Sequence, residues 1–444
     1  MQQDDVKQAA ASRNTVPHWF NPDHPHLDIR DGDGAYVTDA DGNRYLDGVS
    51  QLFCVNAGFD NQTIIDAMVE QLHKAPYVTP SQYNDTRQQL SEAMLEKAPD
   101  SMGEVYFAVS GSEANEAAVH FAREYTGSHK ILTRWRSYHG WNYGTSSLTG
   151  NGWSSSVIER NAATTGAQQF LPPMSYRSPF DADTPEELAE KAADHVEFVI
   201  RNEGPDSVAA ILMEPIAGAS GAYTAPPGYF ERLRELCDTY DILLIADEVI
   251  TGFGRCGEWF GIQTENVEPD MITCAKGLTS AYAPLAGVMV SSEISEYLRD
   301  DGVPLGQTFG GHPVGCAAGL AAISEYENGL LENVRSVSPY LEERLRELED
   351  AHDVVGNVRG RGFLWSLAFS KPGTEEPVVD PRTENTDNPV EAVADHAATD
   401  GDLLVWPGRP QTQIMVAPPF CLTRADVDQI HTALDGAIES VFSS

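Results

Sequence analysis

Between residues 80 and 330 the hydrophobic positions come in short blocks. Val105–Val109, Ile131–Thr133, Val208–Met213, Ile242–Ala246, Met271–Thr273 and Gly287–Val290 are mostly apolar runs bounded by polar residues. Such blocks predict strands buried on both faces of a mainly parallel sheet. Helical stretches, such as Ser112–Tyr125 and Pro227–Tyr240, lie between them. That alternation predicts an α/β fold. Upstream, AYVTDADGNRYLD at 35–47 predicts a β-hairpin turning at Asp41-Gly42. The same DADGN lacks the remaining ligand positions and the closing Glu of a calcium loop. Downstream, Leu331, Val334, Leu341, Leu345 and Leu348 share one helical face. A strand, FLWSLAF, follows at 363–369, and 370–389 reads as a surface loop. The pattern divides the chain into a mobile arm (1–16), an N-terminal segment of a small domain (17–75), a large domain (76–330) and a C-terminal part of the small domain (331–444). The small domain is α+β and draws on both chain ends.

Composition narrows the function classes. The 444 residues are 41% hydrophobic, enough for a large core. Asp and Glu number 67 against 29 Lys and Arg, a net charge of −38. A surface so acidic is unsuited to nucleic acid or to anionic membranes. The acid excess runs along the whole chain and lysine is limited to seven residues. We read this as adaptation to high salt, where counterions screen self-repulsion. There is no apolar run long enough to span a membrane, and MQQDDVKQAAASRN lacks the apolar core of a signal peptide. A cytoplasmic location is expected. The six cysteines (Cys54, Cys237, Cys256, Cys274, Cys316 and Cys421) form no CxxC pair and no metal-ligand spacing with histidine. They fit a reduced compartment, and no metal site is expected.

Candidate chemistry sits where the predicted strands end, the place where ligands collect on open α/β sheets. Glu214 follows ILM, Asp247 and Glu248 follow ILLIA, and Lys276 follows MITCA. Lys276 has apolar neighbours and no acid beside it, so it either snorkels to water or has a depressed pKa. A neutral amine can form a Schiff base with a carbonyl compound. Asp247 could cap a helix, join a structural ion pair or face a cationic ring nitrogen. A Schiff-base lysine with a carboxylate facing a pyridinium is the pairing of pyridoxal phosphate chemistry. Ser110-Gly111-Ser112 lies between a strand and a helix, where free N–H groups can hold a phosphate. Many strand–helix turns look like it.

Read in order, SGSEANEAA (110–118), RWRSYHG (134–140), MEPIAGASG (213–221), IADEVITGFGRCG (245–257), PDMITCAKGL (269–278) and GQTFGGHPVGCAA (306–318) resemble the class III aminotransferases of pyridoxal phosphate fold type I. The resemblance implies a large domain with a mainly parallel sheet between helices. It implies that Lys276 bonds the cofactor and shuttles the substrate proton. Asp247 would keep the pyridine nitrogen protonated, with Tyr138 and Val249 on the two ring faces. Gly111 and Ser112 would bind the phosphate. Thr308 would reach the phosphate of the partner subunit, which requires a homodimer, with a dimer of dimers open. Glu214 would support the network around the ring. His139 and His312 are given structural roles.

Within the family, KILTRWRSYHG, DEVITGFGRCG and VWPGRPQTQIMVAPPF are most similar to the ω-aminotransferases, which move amino groups from amines or ω-amino acids to pyruvate. That subgroup implies substrate contacts from Trp19, Phe20, Phe53 and Tyr83. It also implies an arginine for the acceptor carboxylate, here Arg409. A γ-aminobutyrate or ornithine type of enzyme using 2-oxoglutarate, and an aminomutase on the same fold, stay open as alternatives.

Overall fold

The computed structural model describes residue 18 and residues 27–150, 166–384 and 386–443. The arm expected over 1–16 therefore lies outside the described residues.

The apolar blocks form one seven-stranded sheet. Its strands are β4 (Met102–Ala108), β5 (Lys130–Arg134), β6 (Ala167–Phe170), β7 (Val208–Met213), β8 (Leu243–Asp247), β9 (Met271–Cys274) and β10 (Ala286–Ser291). Their spatial order is β4-β10-β9-β8-β7-β5-β6. All neighbours are parallel except at β10, which runs antiparallel to both β4 and β9. Side chains alternate across the sheet, so each strand contributes to two cores. Ala210 and Leu212 join Ile245 and Phe121 on one face. Ile211 and Met213 join Leu244, Leu233 and Val196 on the other. Each fully buried Leu, Ile or Met contributes about 1.5 to 3 kcal/mol of hydrophobic stabilisation. That double burial is why these strands read as unbroken apolar runs.

Two four-stranded sheets come from the chain ends. The first is β1 (Ile29–Asp33), β2 (Tyr36–Asp39), β3 (Arg44–Asp47) and β13 (Leu403–Leu404). Within it β2 and β3 form the expected hairpin, and β13 adds in parallel beside β3. The second is β11 (Val355–Arg361), β12 (Leu364–Phe369), β15 (Gln413–Val416) and β14 (Trp406–Gly408). A small apolar cluster containing Val49, Phe53, Ile216, Cys256, Leu364 and Met415 ties these ends to the loops of the large sheet. All six cysteines are free. Among the described residues no helix is long and apolar enough to cross a membrane.

Candidate active site

Strand register sets the arrangement. Met213 pairs with Ala246 and Asp247 pairs with Thr273. Glu214, Asp247 and Lys276 are therefore brought together at the carboxyl ends of three adjacent strands. They open into one cavity of about 700 Å³. Gly111, Ser112, Tyr138, Val249, Phe53 and Arg409 line the same cavity.

Asp247 is buried, and each of its oxygens is engaged. One accepts from the Val249 amide at 3.0 Å. The other accepts from Asn115 Nδ2 at 2.8 Å and meets His139 Nδ1 at 2.7 Å. The far nitrogen of His139 lies 2.9 Å from Thr133 Oγ1, which fixes the ring plane. Asn115 is held in turn by the Thr273 hydroxyl, 2.7 Å from its Oδ1. Glu214 forms a buried ion pair with Arg134 at 2.6 Å.

Lys276 opens to the cavity at its tip and is enclosed by protein elsewhere. Burial lowers its pKa, with Cys54 and Asp247 opposing. Its Nζ donates to the Leu52 carbonyl at 3.0 Å and sits 5.3 Å from the Phe53 ring centre. Both segments are strained. Lys276 has φ 40°, and Ser50, Gln51 and Phe53 have φ 48°, 59° and 60°. Such residues cost about 1 to 3 kcal/mol each and persist where the surroundings enforce them. Here two strained turns meet at one amine.

The helix Gly111–Thr126 begins at the cavity wall. Ser110 caps it by accepting from the Glu113 amide, leaving the Gly111 and Ser112 amides at the open end. A Cβ at Gly111 would meet Val249 at 2.9 Å, and one at Gly140 would meet Ser112 Oγ at 2.3 Å. The cradle exists because both positions are glycine. Opposite it, the Arg409 guanidinium lies 5.7 Å from the Tyr138 ring centre. Burial lowers the Arg409 pKa, and burial raises that of Tyr138. These residues fit pyridoxal phosphate. A glycine-walled helix start suits its phosphate, an enclosed lysine its carbonyl and a buried carboxylate its ring nitrogen.

Not every expected residue reaches this cavity. Tyr83 is fully exposed; Thr308, expected at the partner subunit's phosphate and not at this one, lies on an exposed turn where its carbonyl accepts from Tyr77 Oη at 2.9 Å. Trp19 and Phe20 lie outside the described residues. His312 sits among Tyr77 and Phe309, away from the cavity lining. Sequence reasoning missed Asn115 and Arg134, and gave His139 only a structural role. Asn115 and His139 were inside quoted motifs, yet both partner Asp247 across more than a hundred residues. Trp406, whose ring packs edge-on 5.7 Å from Phe53, was also missed.

Three comparisons with known proteins bear on this geometry. A family model for aminotransferase class-III matches residues 20–438. A diaminobutyrate–2-oxoglutarate transaminase of Halomonas elongata is 36% identical, over 94% of this chain and 91% of that protein. A taurine–pyruvate aminotransferase of Bilophila wadsworthia is 35% identical, over 92% and 91%. The crystal structure of an amine transaminase from an uncultivated Pseudomonas species, bound to pyridoxal phosphate, superposes with TM-score 0.89. It is 32% identical and covers 97% of this chain and 100% of that one.

Proposed function

The chain belongs to the class III aminotransferases, and from that premise we propose that it moves an amino group from a primary amine or ω-amino acid to pyruvate. It is a transaminase that depends on pyridoxal phosphate. When bound, pyridoxal phosphate supplies an electron-withdrawing ring and carries the amino group between the two half-reactions. The rest is assigned to the chain itself.

Lys276 would hold the cofactor. Its lowered pKa then favours the neutral amine, which can take a proton from the substrate carbon. Asp247, held by Asn115 and His139, would keep a ring nitrogen protonated. Tyr138 and Val249 would bracket the ring, Gly111 and Ser112 would bind the phosphate, and Glu214 with Arg134 would shape the wall beside it. Turnover is expected to be ping-pong.

The observation that carries the acceptor assignment is the single arginine on the cavity wall. Among the described residues Arg409 is the only arginine in the lining, and the wall around it is mainly apolar. One guanidinium grips one carboxylate bidentately. A monocarboxylate such as pyruvate satisfies it, whereas a dicarboxylate brings a second charge with no second arginine. Phe53 and Trp406 offer an aromatic side suited to hydrophobic amines. The taurine–pyruvate relative and the amine transaminase structure support this reading.

The same reading includes a cytoplasmic homodimer. Thr308 would act on the neighbouring subunit's site, in keeping with its exposure beside the exposed aromatics Tyr77 and Phe309. The acidic surface suits high salt. Pyruvate mixed with 1-phenylethylamine should yield acetophenone and alanine. If neither forms while γ-aminobutyrate reacts with 2-oxoglutarate, the amine:pyruvate assignment fails.

A further inference from the structure

A second cavity lies behind the wall that carries Arg409. It measures about 20 Å³ and is lined by Arg136, Arg177, Arg359, Ser220, Tyr223 and Thr412 among others. Three guanidinium groups meet there in a protein of net charge −38.

The arginines are poorly neutralised. Arg359 donates to Gly221 O at 2.7 Å, Asn357 Oδ1 at 3.0 Å and Gln413 Oε1 at 3.2 Å, all uncharged acceptors. Arg177 donates to Phe369 O at 2.8 Å, Thr412 Oγ1 at 3.4 Å and the Glu375 carbonyl. The Glu375 carboxylate accepts from the Arg177 backbone amide instead. Asp380 is committed to Arg382 at 2.6 Å. Among the described residues the Arg136 guanidinium has no hydrogen-bond or ion-pair partner, and neither has the hydroxyl of Ser220, which is only 3% exposed. Burial pushes Arg136 and Arg359 down to about 10, and neighbouring arginines push the same way, with Tyr223 opposing at both and Asp380 opposing at Arg136. A buried hydroxyl without a partner is expensive, and three half-buried guanidinium groups facing one small cavity favour an anion there.

The volume decides what can relieve this. A cavity of this size holds one water-sized body. Phosphate, sulfate and carboxylate are each larger than one water-sized body. We infer that this cavity binds a single monatomic anion of chloride size, held by the Arg136 and Arg359 guanidinium groups and the Ser220 hydroxyl. The site is distinct from the catalytic cavity and independent of the substrate assignment. It also braces the acceptor side. Ser220 adjoins Ala219, whose carbonyl accepts from the Arg409 amide at 2.9 Å. Gln413, bonded to Arg359, donates to the Arg409 carbonyl at 2.8 Å.

The test uses the cofactor-loaded enzyme at fixed ionic strength, with potassium chloride titrated against potassium methanesulfonate, whose anion is too large to enter. Chloride should raise the unfolding temperature along a saturating curve, as a ligand of the folded state does. Ser220→Ala and Arg136→Gln should each weaken that chloride response about ten-fold or more, the scale of one hydrogen bond to a charged group. Ser220→Ala removes a single atom, so it keeps the test valid if Arg136→Gln fails to fold. Crystals soaked in bromide should show an anomalous peak between Arg136, Arg359 and Ser220. A water there in place of bromide, or an identical chloride response in wild type and Ser220→Ala, overturns the proposal.

Discussion

The cavity has two walls of different origin. One comes from the large sheet, where strand ends and a helix start hold Lys276, Asp247, Glu214, Ser112 and Tyr138. The other comes from the chain ends, where turns and short strands hold Leu52, Phe53, Trp406 and Arg409. In the first wall Asp247 and Glu214 stand at strand ends and are each held by further buried partners. In the second, positions depend on strained turns and on contacts between distant loops. The first wall is built for a reaction common to many substrates, and the second for choosing among them.

Substitutions test that division directly. The largest effect should come from Lys276→Ala, which removes the proposed cofactor anchor and proton carrier. Turnover should fall about 10³-fold or more with every amine and acceptor, given the scale of general acid–base catalysis. Near-normal steady-state rates would remove Lys276 from the chemistry. Asp247→Asn keeps the shape but removes the charge held by Asn115 and His139. It should lower kcat about 10²-fold across the whole substrate panel, the scale of one preorganised electrostatic contact. A loss confined to one substrate class would place Asp247 on the wrong wall.

On the other wall, Arg409→Leu should raise the KM for pyruvate about ten-fold or more, the scale of a lost charge-assisted hydrogen bond. Phe53→Ala should reorder the preference among aromatic and aliphatic amines by about ten-fold, while the pyruvate KM stays near normal. A uniform fall in kcat from either change would erase the distinction between the walls.

The smallest effect concerns stability. Glu248 follows Asp247 in the chain but is buried among loop groups. It accepts from the Gly261 amide at 2.8 Å, the Ile262 amide at 2.6 Å and the Thr251 hydroxyl. Burial raises its pKa from 4.5 to about 7. A raised carboxyl pKa favours the folded state at low pH. Its contribution is full below about 4.5 and is lost as pH rises through about 7. Thermal unfolding between pH 5 and 8 should show stability falling with pH, with a shallower slope in Glu248→Gln. An equal slope in both proteins would mean that Glu248 does not titrate there.

The two walls also differ in how far they could be read in the sequence. Six strands and the reactive ends of three of them follow from apolar blocks and the polar residue after each. Lys276 and Asp247 stand out because a charged residue after a buried strand needs a reason. Gly111 is legible for a related cause, since the helix start requires close approach. The partners of Asp247 were not legible. Asn115 and His139 meet it only through strand order, which no local pattern encodes. The second wall was harder still. Phe53 owes its place to a turn at positive φ, and Trp406 to a three-residue strand at the edge of the second four-stranded sheet. Tyr83 was expected near substrate but lies on the outer surface of a single chain, and Thr308, expected at the partner subunit's phosphate, is exposed as well.

The most direct test of the two-wall account separates the half-reactions of Arg409→Leu. Cofactor-loaded enzyme is mixed first with 1-phenylethylamine alone, and the amine-loaded form is then mixed with pyruvate, each followed by the change in cofactor absorbance. The account predicts an amine half-reaction with wild-type rate and saturation, and a pyruvate half-reaction that saturates only at about ten-fold higher concentration. Equal impairment of both half-reactions, or an unaltered pyruvate step, would contradict it.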